Sequence, residues 1–494
     1  MKKVLSPSQM RLTEKALFDT GVPSADLMEK AARVFADEIL KTLGDPEGKT
    51  AVFACGSGGN GGDGFAAARM LRAEGVRVVI VLTGPADRMT EDARRNFERV
   101  KPLAFGVIGA EEALTLPRPS LWADAMSGIG FHGTMEERLV PLIRRIEEDR
   151  LAGVPVVSCD IASGLDADTG IASGACVRAD KTVTFHHMKY GHALADGPVF
   201  SGGIVEGDIG LNDIFEPARL FEASDLKGIL PERRRHSHKN EYGHVLLVAG
   251  SRGMAGAAAV CASAAMRSGA GLVTVACPES IVPILQTLAP CAMCAPLPET
   301  DGAADERAAG VLEGLIAGKT VIAAGPGLSV RTHPAVIETV LRAPLPKVLD
   351  ADALNLIAEN RSLLKLIGEN DILTPHPGEA ARLLGRAVTV PSEDASALPG
   401  TALLKGATSV IHSKRGILLS ASGTPGMAKG GSGDALTGII AALAAQGVSP
   451  HLAAAAGSEI HGLAGEAAAE KFGVRSMLPT DLIACLGDVF TRYV

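Results

Sequence analysis

Ala51-Val52-Phe53-Ala54-Cys55-Gly56-Ser57-Gly58-Gly59-Asn60-Gly61-Gly62-Asp63-Gly64-Phe65 decides the fold of the first half of this chain. Ala51–Cys55 is a short apolar run, sized for a buried strand and too short for a helix. The glycines that follow allow positive φ and close approach of a ligand to the backbone. A helix is expected over Phe65–Ala73 and a second strand over Val76–Leu82. Strand, helix and strand in that order form a βαβ unit, which implies a crossover and a parallel sheet.

Further strands are expected outward from this unit at Leu121–Ala125, Val154–Cys159 and Thr182–Phe185. Upstream lie two helices. Ser6 before Pro7 is a start signal, because the cap side chain takes orphan amides and proline is tolerated in the first turn. The second helix spans Ser24–Gly44, where Met28, Ala32, Phe35 and Ile39 recur at helical spacing and predict one buried face. This first domain is assigned to residues 1–215.

Residues 211–240 have mixed polarity and end in a basic run, Arg233, Arg234, Arg235, His236, His238 and Lys239. The run reads either as a solvated interdomain loop or as a local phosphate contact. A second α/β rhythm is assigned to residues 222–494. Its strands are expected at His244–Ala249, Leu272–Ala276, Val321–Ala324 and Lys347–Leu349, with a small-residue helix over Ala255–Ser268. It closes with Asp434–Gln446 and two more helical stretches. No sequence repeat relates the halves beyond the shared rhythm.

Length and composition agree with this division. The chain has 494 residues, too many for one ordinary core. Aromatics are only 3%, so Ala, Val, Leu and Ile must fill the cores. The net charge of −8 carries no basic surplus that would attract nucleic acid. No charge-free apolar run of about 18 residues marks a membrane span, and the first residues lack the apolar stretch of a signal peptide. The eight cysteines are scattered. Cys291 and Cys294 form a lone CxxC without a second pair or a nearby histidine, so they read as buried reduced thiols, not a zinc site. A reducing, cytoplasmic compartment is expected.

Gly56-x-Gly58-x-x-Gly61 satisfies a dinucleotide fingerprint, but the acidic residue expected at the end of the second strand is missing there. A redox site is therefore a poor fit. The start of the helix still offers free amides to an anion. Asp124 and Asp160 fall at the carboxyl ends of later strands, where open parallel sheets place ligands. Such a carboxylate serves as acid, base or cation ligand.

The strongest motif of the second half is Lys429-Gly430-Gly431-Ser432-Gly433-Asp434-Ala435-Leu436-Thr437-Gly438. Its small residues run into a helix and form an anion hole, with Asp434 in the first turn. A carboxylate beside a bound phosphate can take the proton of an attacking hydroxyl, while the amides offset charge on the transferred group. Upstream, Gly325-Pro326-Gly327, Asp350-Ala351-Asp352, the turn that aims His376, and Leu404-Lys405-Gly406-Ala407-Thr408 supply further loops of this kind.

The glycine loop with Asp63, the segment Asp160-Ile161-Ala162-Ser163-Gly164-Leu165, the turn Pro375-His376-Pro377-Gly378-Glu379 and the Gly431-Ser432-Gly433-Asp434 end occur together, in order. In this the whole chain resembles the bifunctional NAD(P)H-hydrate repair enzymes. The resemblance implies an N-terminal Rossmann-like parallel-sheet epimerase and a C-terminal ribokinase-like, ADP-dependent dehydratase. It implies that Gly59, Asn60, Gly61, Gly62 and Asp63, with Gly128, Ile129, Gly130, Phe131, His132, Gly133 and Thr134, hold the hydrated nucleotide. Asp160 would act at the epimerising carbon, and Asn60, Asp124 and Ser163 would bind potassium. In the second domain Ala257, Gly327, His376 and Asp434 would contact the hydrate. Lys405, Gly406, Ala407, Thr408, Ser409 and Gly433 would hold ADP with magnesium, and Asp434 would be the base. Two departures stand out: Gly59 replaces an asparagine usual in the family, and Ser409 a frequent threonine.

The implied substrates are NADHX and NADPHX with ADP, and a homo-oligomer that engages neither nucleic acid nor membrane is expected. Two rival readings stay open at this point. A ribokinase-like small-molecule kinase with an accessory N-terminal domain shares the Gly-x-Gly-Asp end. A non-catalytic nucleotide sensor would accommodate Gly59.

Overall fold

The computed structural model describes residues 1–230 and 232–494. Two compact units emerge, Lys2–Ala218 and a unit formed chiefly by Arg219–Val494.

The first unit is built on a seven-stranded sheet. Its strands are β1 (Thr50–Cys55), β2 (Arg77–Leu82), β3 (Gly106–Gly109), β4 (Leu121–Ala125), β5 (Val156–Cys159), β6 (Lys181–Phe185) and β7 (Gly203–Gly207). The order is β3-β2-β1-β4-β5-β6-β7, and every pairing is parallel. The chain runs outward from β1 to one edge and then returns to lay β4 on its other side. The β1/β4 gap is thus the switch point where such sheets bind ligands. The two edge strands, β3 and β7, have few fully buried positions, so periodicity does not mark them, and neither was expected from the sequence.

Helix α1 (Pro7–Phe18) starts on a capping box, Ser6 Oγ accepting from Gln9 N while the Gln9 side chain accepts from Ser6 N. Helix α2 (Ser24–Leu43) buries Ala32, Phe35 and Ile39 as its spacing predicts. Met28 departs from that expectation. It is only half-buried, and Leu27 takes the core position beside it. The glycine segment also departs. Helix α3 spans Gly59–Ala73, so Gly59–Gly64 are its first turns and the loop proper is Gly56–Gly58. The tight packing explains the glycines. A Cβ on Gly61 would lie 2.0 Å from Gly56 O, and one on Gly56 would lie 2.0 Å from Met126 O.

The second unit carries β8 (Ala218–Phe221), β9 (His244–Val248), β10 (Leu272–Pro278), β11 (Met293–Leu297), β12 (Val321–Ala324), β13 (Lys347–Leu349), β14 (Ile372–Leu373), β15 (Thr401–Leu404), β16 (Ser409–Ser413) and β17 (Gly416–Ser420). They pair in the order β11-β10-β9-β12-β13-β14-β15-β16-β17-β8. From β11 to β15 all pairings are parallel, and the β15-β16-β17 meander is antiparallel. Small residues let the covering helices approach closely. A Cβ on Gly438, in the helix Ser432–Ala445, would sit 2.2 Å from Cys261 O in the helix Ala255–Arg267. Alanine-rich Pro450–Phe472 packs on the same core, as the composition requires.

All eight cysteines are free. Six are buried, but Cys291 is exposed and Cys294 half-exposed, so the reading of that pair as buried is corrected. Their segment lies at the sheet edge, where β11 has a neighbour on one side only. In the basic run, the Arg233 guanidinium stacks 4.0 Å from the Tyr242 ring centroid and donates to Gly269 O. No helix among the described residues is long and apolar enough to cross a membrane.

Candidate functional sites

Beyond the carboxyl ends of β1 and β4 opens a cavity of about 500 Å³. Gly59, Asn60, Asp63, Gly128, Ile129, Gly130, Phe131 and Asp160 line it, as do Glu14 and Met28. Gly61 and Gly62 do not. They are buried within α3, and a Cβ on Gly62 would meet Met28 Cε at 2.7 Å. His132, Gly133 and Thr134 are exposed outside the lining, where His132 Nδ1 lies 2.8 Å from Asp166 Oδ2.

Asp160 follows β5 directly and adopts φ 60°, a left-handed conformation that strains any residue with a side chain. Two contacts hold it there. Its N–H donates to Val183 O at 2.7 Å, and its carbonyl accepts from His192 Nε2 at 2.9 Å. His192 Nδ1 in turn accepts the N–H of Lys189 at 3.0 Å, which fixes the tautomer. The result aims the carboxylate at Lys189. Lys189 Nζ donates to Asp160 Oδ1 at 2.6 Å, to Thr184 Oγ1 at 2.8 Å and to Phe185 O at 2.9 Å. Burial alone would raise the Asp160 pKa, but the Lys189 charge and hydrogen bond outweigh it and hold the carboxyl below its usual range. Thr184 also donates to Oδ1, so Oδ2 is the oxygen left for a ligand.

Lys189 and His192 escaped the sequence reading. The signal available was a lysine and a histidine inside the otherwise apolar Met188–Leu194, and nothing local showed that both would be buried.

Asp124 is fully buried. It accepts from Ser158 Oγ at 2.8 Å, Ser163 N at 2.9 Å, Ser163 Oγ at 2.6 Å and Met126 N at 3.3 Å. Among the described residues it has no ion-pair partner, and burial raises its pKa against those bonds. Asn60 Nδ2 donates to Ser127 O at 2.8 Å, and the buried Ser127 Oγ has no partner. A buried carboxylate without a counter-charge, beside an orphaned hydroxyl, has the oxygen chemistry a hard cation takes. Asn60, Asp124 and Ser163 therefore fit such an ion.

In the second unit the helix Ser432–Ala445 begins after Gly431, which has φ 98° and turns the chain into the helix. Asp434 lies in the first turn and is half-buried. Burial, with the nearby Asp350 charge, pushes its pKa up to about 6, against the pull of Lys405. Lys405 Nζ donates to Asp350 Oδ1 at 2.6 Å, and Thr437 Oγ1 donates to Asp350 Oδ2 at 2.7 Å. A Cβ on Gly433 would stand 3.5 Å from Lys405 Nζ. The fold thus gathers Gly433, Asp434, Lys405 and Asp350 from separate loops. Gly327, with φ 61°, lies against Ala257, whose Cβ is 2.9 Å from where a Gly327 Cβ would be. His376 has a structural role the turn did not suggest. It caps the helix Pro377–Leu384, Nδ1 accepting from Gly378 N at 3.0 Å, while its Nε2 lies 3.4 Å from Glu379 Oε1. Asp350 and Asp352 are likewise engaged, Asp352 Oδ2 accepting from Ser329 N at 2.8 Å. Among the described residues no trio of metal-ligating side chains surrounds Asp434, so this donor set fits magnesium only as an ion carried in on a phosphate chain.

A Rossmann-like unit with a carboxylate at a strand end that faces a cavity, and a ribokinase-like unit with a carboxylate in the first turn of a glycine-led helix, define a two-domain α/β enzyme. Residues 24–191 match the family of YjeF-related protein N-termini, and residues 245–487 match the NAD(P)H-hydrate dehydratase family. The bifunctional NAD(P)H-hydrate repair enzyme Nnr of Coxiella burnetii is 36% identical over 489 residues, covering 96% of this chain and 96% of that one. Its counterpart from Moorella thermoacetica is 38% identical over 489 residues, covering 94% of this chain and 91% of the other. A ribokinase-like superfamily protein of Enterococcus faecalis aligns with a TM-score of 0.50 at 27% identity, covering 57% of this chain and 99% of that one. The chain belongs to the family of bifunctional NAD(P)H-hydrate repair enzymes, an epimerase joined to a dehydratase.

Proposed function

We propose that residues 1–215 interconvert the C6 epimers of NADHX and NADPHX, and that residues 222–494 dehydrate the S epimer at the expense of ADP. The observation that carries this reading is Asp434, half-buried at a glycine-lined helix start beside the Lys405–Asp350 pair. A carboxyl poised near pKa 6 is ionised at neutral pH and still basic enough to accept a proton.

Asp434 takes the proton of the C6 hydroxyl as that oxygen attacks the terminal phosphorus of ADP. AMP departs. Phosphate then leaves C6, driven by the lone pair of the ring nitrogen, and loss of a C5 proton restores the dihydropyridine. Hydroxide is a poor leaving group and phosphate a good one, which is the chemical reason to spend a nucleotide. Ala257, Gly327 and His376 would bind the hydrate. Lys405–Ser409 and Gly433 would bind ADP, their amides and the Lys405 charge facing its phosphates. Magnesium would neutralise phosphate charge.

In the first unit Asp160 is the acid–base group at C6, and Gly59, Asn60 and Asp63 with Gly128–Phe131 cradle the nucleotide, Gly61 and Gly62 allowing the close packing behind them. Potassium, held by Asn60, Asp124 and Ser163, would neutralise the buried Asp124 and stiffen the loop above it. The free cysteines support a cytoplasmic setting, and the assembly state expected is a homo-oligomer.

The test is to mix the protein with NADH hydrate and ADP and follow the ultraviolet absorbance of reduced nicotinamide. Its return supports the reading. Nucleotide consumption without it would instead mark a small-molecule kinase. Asp434→Asn should bind nucleotide yet lose about 3–4 kcal/mol of transition-state stabilisation. A near-normal rate would reject the role.

A further inference from the structure

The epimerase cavity holds a further carboxyl, that of Glu14, which the reading above does not use. Glu14 lies on α1, on the turn after buried Met10 and next to buried Thr13, and it lines the same cavity as Asp160. The Ser6 capping box fixes where this helix begins. Among the described residues Glu14 makes no hydrogen bond and no ion pair. Its surroundings differ from those of Asp160. Asp160 Oδ1 is clamped by Lys189 at 2.6 Å, whereas Glu14 has no such clamp. The charged groups around Glu14 are Asp160 and Lys189 from the segments after β5 and β6, Arg11 from its own helix, and Asp63 from α3. Asp92, which also lines the cavity, acts on Asp63.

Burial, reinforced by the Asp160 charge, pushes the Glu14 pKa up to about 7, while Lys189 and Arg11 pull against this. Asp160 goes the other way. Four carboxyls line the cavity, Glu14, Asp63, Asp92 and Asp160, and burial raises Asp63 as well; a raised and a lowered carboxyl in one cavity is the arrangement that assigns an acid and a base.

We propose that Glu14 is the second acid–base group of the epimerase site, protonating the departing C6 oxygen while Asp160 receives the proton of the entering water. The proposal rests on the epimerase reading of the first unit. The C6–O bond breaks as the ring-nitrogen lone pair forms the N1=C6 bond, and the oxygen leaves as water carrying the Glu14 proton. A second water adds to C6, the N1=C6 electrons return to nitrogen, and the surplus proton passes to Asp160 Oδ2. Solvent then returns a proton to Glu14 and takes one from Asp160. Addition to the opposite face gives the other epimer, and the reverse direction uses the same groups.

The experiment is epimer exchange on resolved R- and S-NADHX, followed chromatographically in oxygen-18-labelled water, for wild type, Glu14→Gln and Asp160→Asn. Wild type should incorporate one solvent oxygen per exchange, and its rate should fall as pH rises through about 7, where Glu14 gives up its proton. Glu14→Gln, nearly isosteric, should lose roughly 100-fold or more in kcat, with a much smaller change in KM and no high-pH limb. Exchange without label, a wild-type rate flat across neutral pH, or Glu14→Gln matching wild type would each overturn the proposal. Failure of wild type to exchange epimers at all would instead overturn the epimerase reading. The wild-type pH profile decides the matter even where the variant fails to fold.

Discussion

Lys189 Nζ and Asp160 Oδ1 stand 2.6 Å apart, with the lysine fully buried and the aspartate held at φ 60° to meet it. The charge that keeps Asp160 ionised is therefore internal to the site, and it arrives from a segment 29 residues further along the chain. Removing one member of a buried pair leaves the other charge uncompensated, at a cost of about 3–5 kcal/mol. Lys189→Met should raise the Asp160 pKa, abolish epimer exchange and lower the urea midpoint of the first unit. S-hydrate dehydration should persist. Epimer exchange at the wild-type rate would refute the role of the pair.

The dehydratase should show a pH limb set by Asp434. Its pKa is about 6, so kcat/KM should rise through that pH and level off above it. Lys405 lowers this pKa, so Lys405→Met should move the limb to higher pH as well as weaken ADP binding. A limb that stays in place would show that another group titrates.

The glycines of α3 should divide sharply. A Cβ on Gly61 would clash with Gly56 O at 2.0 Å, while one on Gly59 meets nothing within 4 Å. Gly61→Ala should therefore unfold the loop and abolish epimerase activity. Gly59→Asn, whose side chain enters open space, should fold normally and keep it. Circular dichroism with the exchange assay separates the two, and equal tolerance would contradict the packing.

His192 should make the protein acid-sensitive. Burial, with the Lys189 charge, lowers its pKa from 6.5 to about 4. The folded state resists a proton that the unfolded chain accepts, so the stabilisation is fully present above pH 6.5 and is lost as pH falls to about 4. The loss is on the order of 3 kcal/mol. Glu14, raised from 4.5 to about 7, has the opposite sign, its contribution being present below 4.5 and lost as pH rises toward 7. The clean measurement is the difference in unfolding free energy between wild type and His192→Gln. That difference should shrink between pH 6.5 and 4, and a constant difference would mean that His192 is not held neutral.

The central parallel strands with their first helices, the two glycine-built helix starts and the carboxylates Asp160 and Asp434 were legible in the linear chain, whereas edge strands such as β3, β7 and β11 and the β16–β17 hairpin were not. Each depends on neighbours a few residues away: apolar runs set strands, and small residues beside a strand end open a helix to an anion. Tertiary structure alone decided what surrounds those carboxylates. Lys189, His192 and Glu14 enter the first site, and Lys405 meets Asp350 and Gly433 in the second, through burial and charge pairing between distant segments. It also decided that Gly59 begins the helix, that Met28 faces the cavity, and that Cys291 is exposed. Local propensity chooses the elements. Desolvation and long-range Coulomb interactions, which exist only once the chain has folded, choose the protonation states that the chemistry uses.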